Sequence, residues 1–77
     1  MSDSGVTVVD AIGLECPLPL LQAKRALHGL ESGERVKVLA TDSGSVRDFR
    51  VFAEQSGNLL LASEQADGVY SFLLEKS

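Results

Sequence analysis

The chemistry this chain can offer centres on one thiol. Cys16 is the only cysteine, and it lies in Gly13-Leu14-Glu15-Cys16-Pro17-Leu18-Pro19, a stretch that also holds both prolines. A lone cysteine cannot close an intrachain disulfide. With a single histidine in the chain it cannot complete a cysteine-based zinc site either. It also lacks the second thiol of an intramolecular dithiol cycle. Covalent carriage fits better, with the thiolate taking a group from one partner and passing it to another. The competing reading is a small buried hydrophobe, because free cysteine is often buried. The flanking prolines stiffen the backbone and favour the functional reading.

The elements around the thiol decide what it faces. Val6 to Asp10 is β-branched and reads as a strand, with Val6 and Val8 on one side and Thr7 and Val9 on the other. Gly13 permits a turn. A helix is expected from Pro17 to about Leu30, since proline suits the first helical position. Leu20, Ala23, Leu27 and Leu30 recur at helical spacing, and Leu21 and Ala26 widen the stripe. Cys16 then becomes the N-cap, facing unpaired N–H groups and the positive end of the helix dipole, both of which favour the thiolate. Glu15 opposes this by repulsion, and Arg47 or Arg50 compensates if the fold brings it near. Asp10, at the strand end, either approaches the thiol or closes its own turn. His28 is about 18 Å along the same helix and is not its base.

The second half repeats the strand-to-helix handover. Arg35 to Ala40 reads as a strand, and Thr41 to Ser45 as a turn dense in capping residues. Ser45-Val46-Arg47-Asp48 has capping-box spacing, with Asp in place of Glu or Gln; Asp42 and Ser43 are alternative caps. A helix from about Val46 to Gln55 presents Val46, Phe49, Phe52 and Ala53, and Ser56-Gly57-Asn58 stops it. Leu59 to Glu64 and Val69 to Lys76 are strands joined by the hairpin signal Gln65-Ala66-Asp67-Gly68. Tyr70 and Phe72 share a face of the last strand and read as core or sheet-face residues. If the first two strands are parallel neighbours, Asp42, Ser43, Gly44, Ser45, Arg47 and Asp48 lie on the same edge as Cys16, where open α/β sheets place ligand sites. Exposed N–H groups there can hold an anion, although ordinary capping is the plainer role. No lysine follows a phosphate-binding glycine loop, so no nucleotide site is expected.

The order βαβαββ implies an α/β fold: a two-layer sandwich with a four-stranded mixed sheet and both helices on one face. A single domain is expected over residues 1–77, with residues 1–5 frayed. Strand order is not readable from periodicity. Seven basic against eleven acidic side chains give a net charge of -4, which disfavours sequence-independent binding to a phosphate backbone. A local basic area of Lys24, Arg25, Arg47 and Arg50 remains available to steer a partner, or is plain helix surface. No apolar run approaches the roughly 20 residues that span a bilayer. The N-terminus does not read as a signal peptide, so a cytoplasmic location without membrane contact is expected.

The stretch Gly13 to Pro19 resembles the Cys-Pro-x-Pro signature of the TusA/SirA-like sulfur-carrier family. The resemblance continues through Leu20-Leu21, Ala23-Lys24, Gly33-Glu34, Ala40-Thr41-Asp42 and Arg47-Asp48-Phe49 to Asp67-Gly68 and Tyr70-x-Phe72, covering nearly the whole chain. It implies that Cys16 accepts sulfane sulfur as a persulfide from a cysteine desulfurase or another sulfurtransferase. The sulfur then passes to a downstream acceptor protein in tRNA thiolation, molybdenum-cofactor supply or sulfur metabolism, with tRNA met only indirectly. The chain would act as a relay rather than a stand-alone enzyme, with no metal or other cofactor of its own. Cys16 would be the carrier, and Gly13, Glu15, Pro17 and Pro19 would shape its loop. Asp10, Asp42, Arg47 and Asp48 would support the site or dock a partner. Glu15 departs from the arginine that tRNA-thiolation members typically carry there. The alternative is a regulatory or protein-binding domain whose cysteine is inert or redox-sensing.

Overall fold

Four strands and two helices alternate in the computed structural model, which describes residues 6–77. They are β1 (Val6–Ala11), α1 (Leu18–His28), β2 (Arg35–Ala40), α2 (Gly44–Ser56), β3 (Leu59–Ala66) and β4 (Val69–Glu75). Residues 1–5, expected to fray, lie outside the described residues. The four strands form one mixed sheet in the order β1-β2-β4-β3. β1 and β2 are parallel, and the other two pairs are antiparallel. The expected two-layer α/β sandwich is therefore the observed one.

Strand alternation makes one sheet face apolar, and the helices cover that face. Val36, Val38 and Ala40 of β2 are buried with Phe72 and Leu74 of β4, against Ala23 and Leu27 of α1 and Phe49 of α2. Phe49 and Phe72 stack with ring centroids 4.4 Å apart and planes 16° from parallel. The uncovered face carries Val8, Lys37 and Leu73 in one row across three strands.

Several boundaries differ from the expectation for physical reasons. Leu21 is 45% exposed, because about 100° of rotation per residue puts it on the far side of α1 from Ala26 and Leu30. Val46 is 40% exposed, since Ser45 takes the inward position one residue earlier. β3 runs past Glu64 to Ala66, because backbone pairing continues to the Asp67-Gly68 turn. Both turn residues have positive φ, +52° and +79°, matching the twist of a two-residue hairpin.

What matters for the site is the register of β1 on β2. Ala11 pairs with Ala40 at the last position of each strand. The two strands therefore end level and release their loops side by side.

Candidate functional site

The loop after β1 is held by short-range turns and by the loop after β2. Asp10 spends its carboxylate on its own turn, with Oδ1 accepting the Ile12 N–H at 3.1 Å. Gly13, at φ +86°, donates its N–H to Thr41 Oγ1 at 3.0 Å. Leu14 packs against the core and Pro19 is buried, so Glu15, Cys16, Pro17 and Leu18 are exposed between two anchored residues. The Cys16–Pro17 peptide bond is cis.

Asp42 ties the two loops together. Its Oδ2 accepts the Cys16 N–H, and its Oδ1 accepts the Gly44 N–H at 3.0 Å. These two donors hold the Asp42 carboxyl below the usual carboxylate range. The sign follows directly. A depressed folded value makes the clamp fully effective above the ordinary carboxylate pKa, and it is lost as pH falls through the lower folded one. Loop order is therefore expected to be flat near neutrality and to loosen only in acid. Asp42→Ala is expected to speed hydrogen exchange of the Cys16 and Gly44 amides while leaving the β2 and β4 amides protected, as read by NMR.

The thiol itself contacts α2. Cys16 Sγ donates to Asp48 Oδ2, a contact between residues 32 apart in the chain. That hydrogen bond is the main reason the thiol pKa is raised. Desolvation, the Asp48 charge and the Asp42 charge add in the same direction. This corrects the expectation of a thiolate favoured by an N-cap position. α1 begins at Leu18 and its N-cap is Pro17, whose carbonyl accepts the Leu21 N–H at 3.1 Å. Cys16 sits one residue earlier, with its N–H turned to Asp42. Glu15 is exposed, and its carbonyl closes the turn by accepting the Leu18 N–H at 2.8 Å. The carboxylates that oppose thiolate formation are Asp48 and Asp42, not Glu15, and no arginine offsets them.

Of the caps left open by the sequence, Ser43 is the one observed and the capping box is not formed. α2 starts at Gly44 with Ser43 as N-cap and no side-chain cap bond. Ser45 is buried, and its hydroxyl has no partner among the described residues. Asp48, the other end of the presumed box, is committed to the thiol. Arg47 does not join that contact. It lines a cavity of about 230 Å³ between the helices with Lys24, whereas Arg25 and Arg50 lie outside it. Two further residues of the Thr41-to-Ser45 turn take part. Thr41 holds Gly13, and Gly44 lies beside the thiol, where an added Cβ would meet Cys16 Cβ at 3.4 Å and Sγ at 3.6 Å in ordinary van der Waals contact. No spacing rule marks either contact, because each joins two separate loops. Among the described residues, no group of three or more His, Cys, Asp or Glu side chains is placed to hold a metal ion.

The arrangement is an exposed thiol on a loop fixed at both ends, with its Sγ–H held by the Asp48 carboxylate. The sequence pattern of the family described as sulfurtransferase TusA matches residues 7–76, which include both loops. The chain belongs to that family. A sulfur carrier protein TusA from Allochromatium vinosum is 51% identical over 69 residues, covering 90% of this chain and 91% of the relative. The crystal structure of a SirA-like protein from Desulfitobacterium hafniense superposes with a TM-score of 0.80 at 32% identity, covering 91% of this chain and 95% of that one. Family membership thus rests on both sequence and fold.

Proposed function

We propose that this protein is a sulfur carrier and that Cys16 holds the sulfur. The observation that carries the reading is the exposed thiol on a doubly anchored loop, in hydrogen-bond contact with Asp48. As the thiol proton moves to Asp48, Cys16 Sγ attacks the terminal sulfur of a donor persulfide. A new S–S bond forms on Cys16 and the donor's S–S bond breaks. The donor leaves as a thiolate that takes up one proton. Thiol plus persulfide become persulfide plus thiol, with no net oxidation. Running the same exchange with an acceptor cysteine releases the cargo. Asp42 fixes the loop, Gly44 packs beside the thiol, and Pro17 and Pro19 stiffen the approach to α1.

The donor in this reading is a cysteine desulfurase or another sulfurtransferase, and the acceptor is a second protein. tRNA thiolation, molybdenum-cofactor supply and sulfur metabolism are the pathways such a relay serves. A cytoplasmic location suits these partners, and no helix among the described residues is long and apolar enough to cross a membrane. Exchange between proteins is supported by exposed apolar side chains on the elements flanking the thiol: Ile12 at 48%, Leu18 at 44%, Leu21 at 45% and Val46 at 40%. Such a rim suits a protein surface better than a small solute.

The competing reading is a binding or regulatory domain with an inert cysteine. Native alkylation separates the two. Iodoacetamide is expected to modify Cys16 in the folded protein without denaturant. Protection under native conditions, relieved only by unfolding, would remove the basis of the carrier reading.

A further inference from the structure

The seam between α1 and α2 carries a charge pattern unlike the rest of the molecule. Starting at Asp48, next to the thiol, a cavity of about 230 Å³ runs between the helices with Leu20, Val51 and Phe52 as apolar lining and Lys24 and Arg47 as its cations. A second cavity of about 210 Å³ shares Lys24 and Phe52 with the first and extends the groove to His28, Asn58 and Lys76. Three of the seven Lys and Arg side chains line this track, against one of the eleven acidic ones. That one is Asp48, which is occupied by Cys16. Lys24 Nζ lies over the Phe52 ring at 5.5 Å from its centroid. Neither Lys24 nor Arg47 has a carboxylate partner among the described residues, where the ion pair formed is Arg35 with Glu75. Lys76 Nζ donates to the Leu30 carbonyl at 2.7 Å, so a chain of net charge -4 leaves Lys24 and Arg47 as the cations without a carboxylate over an apolar floor, in a groove that ends at Asp48 beside the thiol.

We propose that this groove is the docking track for an extended acidic segment of the protein that exchanges sulfur with Cys16. The proposal rests on the carrier reading and names the chemistry of its partner. α1 has eleven residues, a length of about 16 Å by helical rise. That length matches about five residues of extended chain. Carboxylates on the segment pair with Lys24 and Arg47, and an apolar side chain between them rests on Leu20 and Phe52. The bound segment places the partner's sulfur-bearing residue at the Asp48 end. A nucleic acid fits less well, since phosphate recognition draws on many clustered cations and this groove supplies few.

The test uses the full ¹⁵N-labelled chain and the peptide acetyl-Glu-Leu-Glu-Phe-Glu-amide, with acetyl-Lys-Leu-Lys-Phe-Lys-amide as control. Saturable shifts are expected at the amides of Lys24, Arg47, Val51, Phe52 and Gln55, weakening as salt rises. The double substitution Lys24→Glu with Arg47→Glu is expected to weaken binding at least about tenfold, the effect of losing two charge-assisted contacts. Lys37→Glu, on the uncovered sheet face, should bind as the unsubstituted protein does. No saturable shift, equal shifts with the basic peptide, shifts confined to Val8, Leu39 and Leu73 on the uncovered sheet face, or stronger shifts with a 12-nucleotide RNA would each overturn the proposal. None of these outcomes bears on whether Cys16 takes up sulfur, which is read separately by mass.

Discussion

Asp48→Asn is expected to make Cys16 more reactive at neutral pH. The Asp48 hydrogen bond is the leading cause that holds the thiol pKa up, and after desolvation the Asp48 charge adds to it, so replacing the carboxylate lowers it. Two effects then oppose each other. A tenfold gain in thiolate fraction is accompanied by about a threefold loss of intrinsic nucleophilicity, because a less basic thiolate is a poorer nucleophile. The net gain in alkylation rate is therefore about threefold for each tenfold gain in thiolate. The measurement is the rate of reaction with iodoacetamide from pH 6 to 10. The midpoint should move to lower pH in Asp48→Asn, and the plateau at high pH should fall. An unchanged midpoint would show that Asp48 does not govern the thiol in solution. In the proposed transfer Asp48 also receives the thiol proton, which Asn cannot do. Sulfur uptake is therefore expected to gain less than alkylation does, and that contrast separates a proton acceptor from a mere electrostatic neighbour.

Phe72→Ala is expected to have the largest effect on stability. Phe72 is fully buried in β4, an inner strand of the sheet, and stacks on Phe49 from α2. Its removal takes an aromatic contact that joins α2 to the sheet. Phenylalanine-to-alanine changes in cores cost about 3–5 kcal/mol. Domains have only about 5–15 kcal/mol in total, and small ones sit at the low end. For a chain of this size each kcal/mol moves Tm by roughly 4–8 °C, so a drop of roughly 12–40 °C is expected. Thermal and urea unfolding followed by circular dichroism read it. A drop of only a few degrees would mean that the stacked pair is not central to the core.

The parts of this molecule legible in its sequence are those written in local periodicity. Val36, Val38 and Ala40 alternate with Arg35 and Lys37, and that pattern alone gives β2 its buried side. The Asp67-Gly68 pair marks the hairpin because few other residues accept positive φ at both positions. The placing of Cys16 near Asp42 and Asp48 was also within reach, conditional on β1 lying parallel to β2. The strand order that satisfies the condition is a property of the assembled sheet and has no local signature. For the same reason the roles within the site were not legible. The Ser45-to-Asp48 spacing reads as a capping box, yet Ser45 turns inward and Asp48 reaches across to a thiol 32 residues earlier. The reading of the thiol as N-cap failed by one residue, and one residue reverses the electrostatics. Past the helix end the thiol meets carboxylates in place of free N–H groups.

The central claim is that Cys16 takes up sulfur from a protein donor. The direct measurement is intact mass after incubation of the folded protein with a cysteine desulfurase, or with another persulfide-forming sulfurtransferase, and its sulfur substrate. The account predicts a gain of about 32 Da, one sulfur atom, that is reversed by dithiothreitol and absent in Cys16→Ser. No gain with any of several competent donors, or a gain that survives in Cys16→Ser, would contradict it.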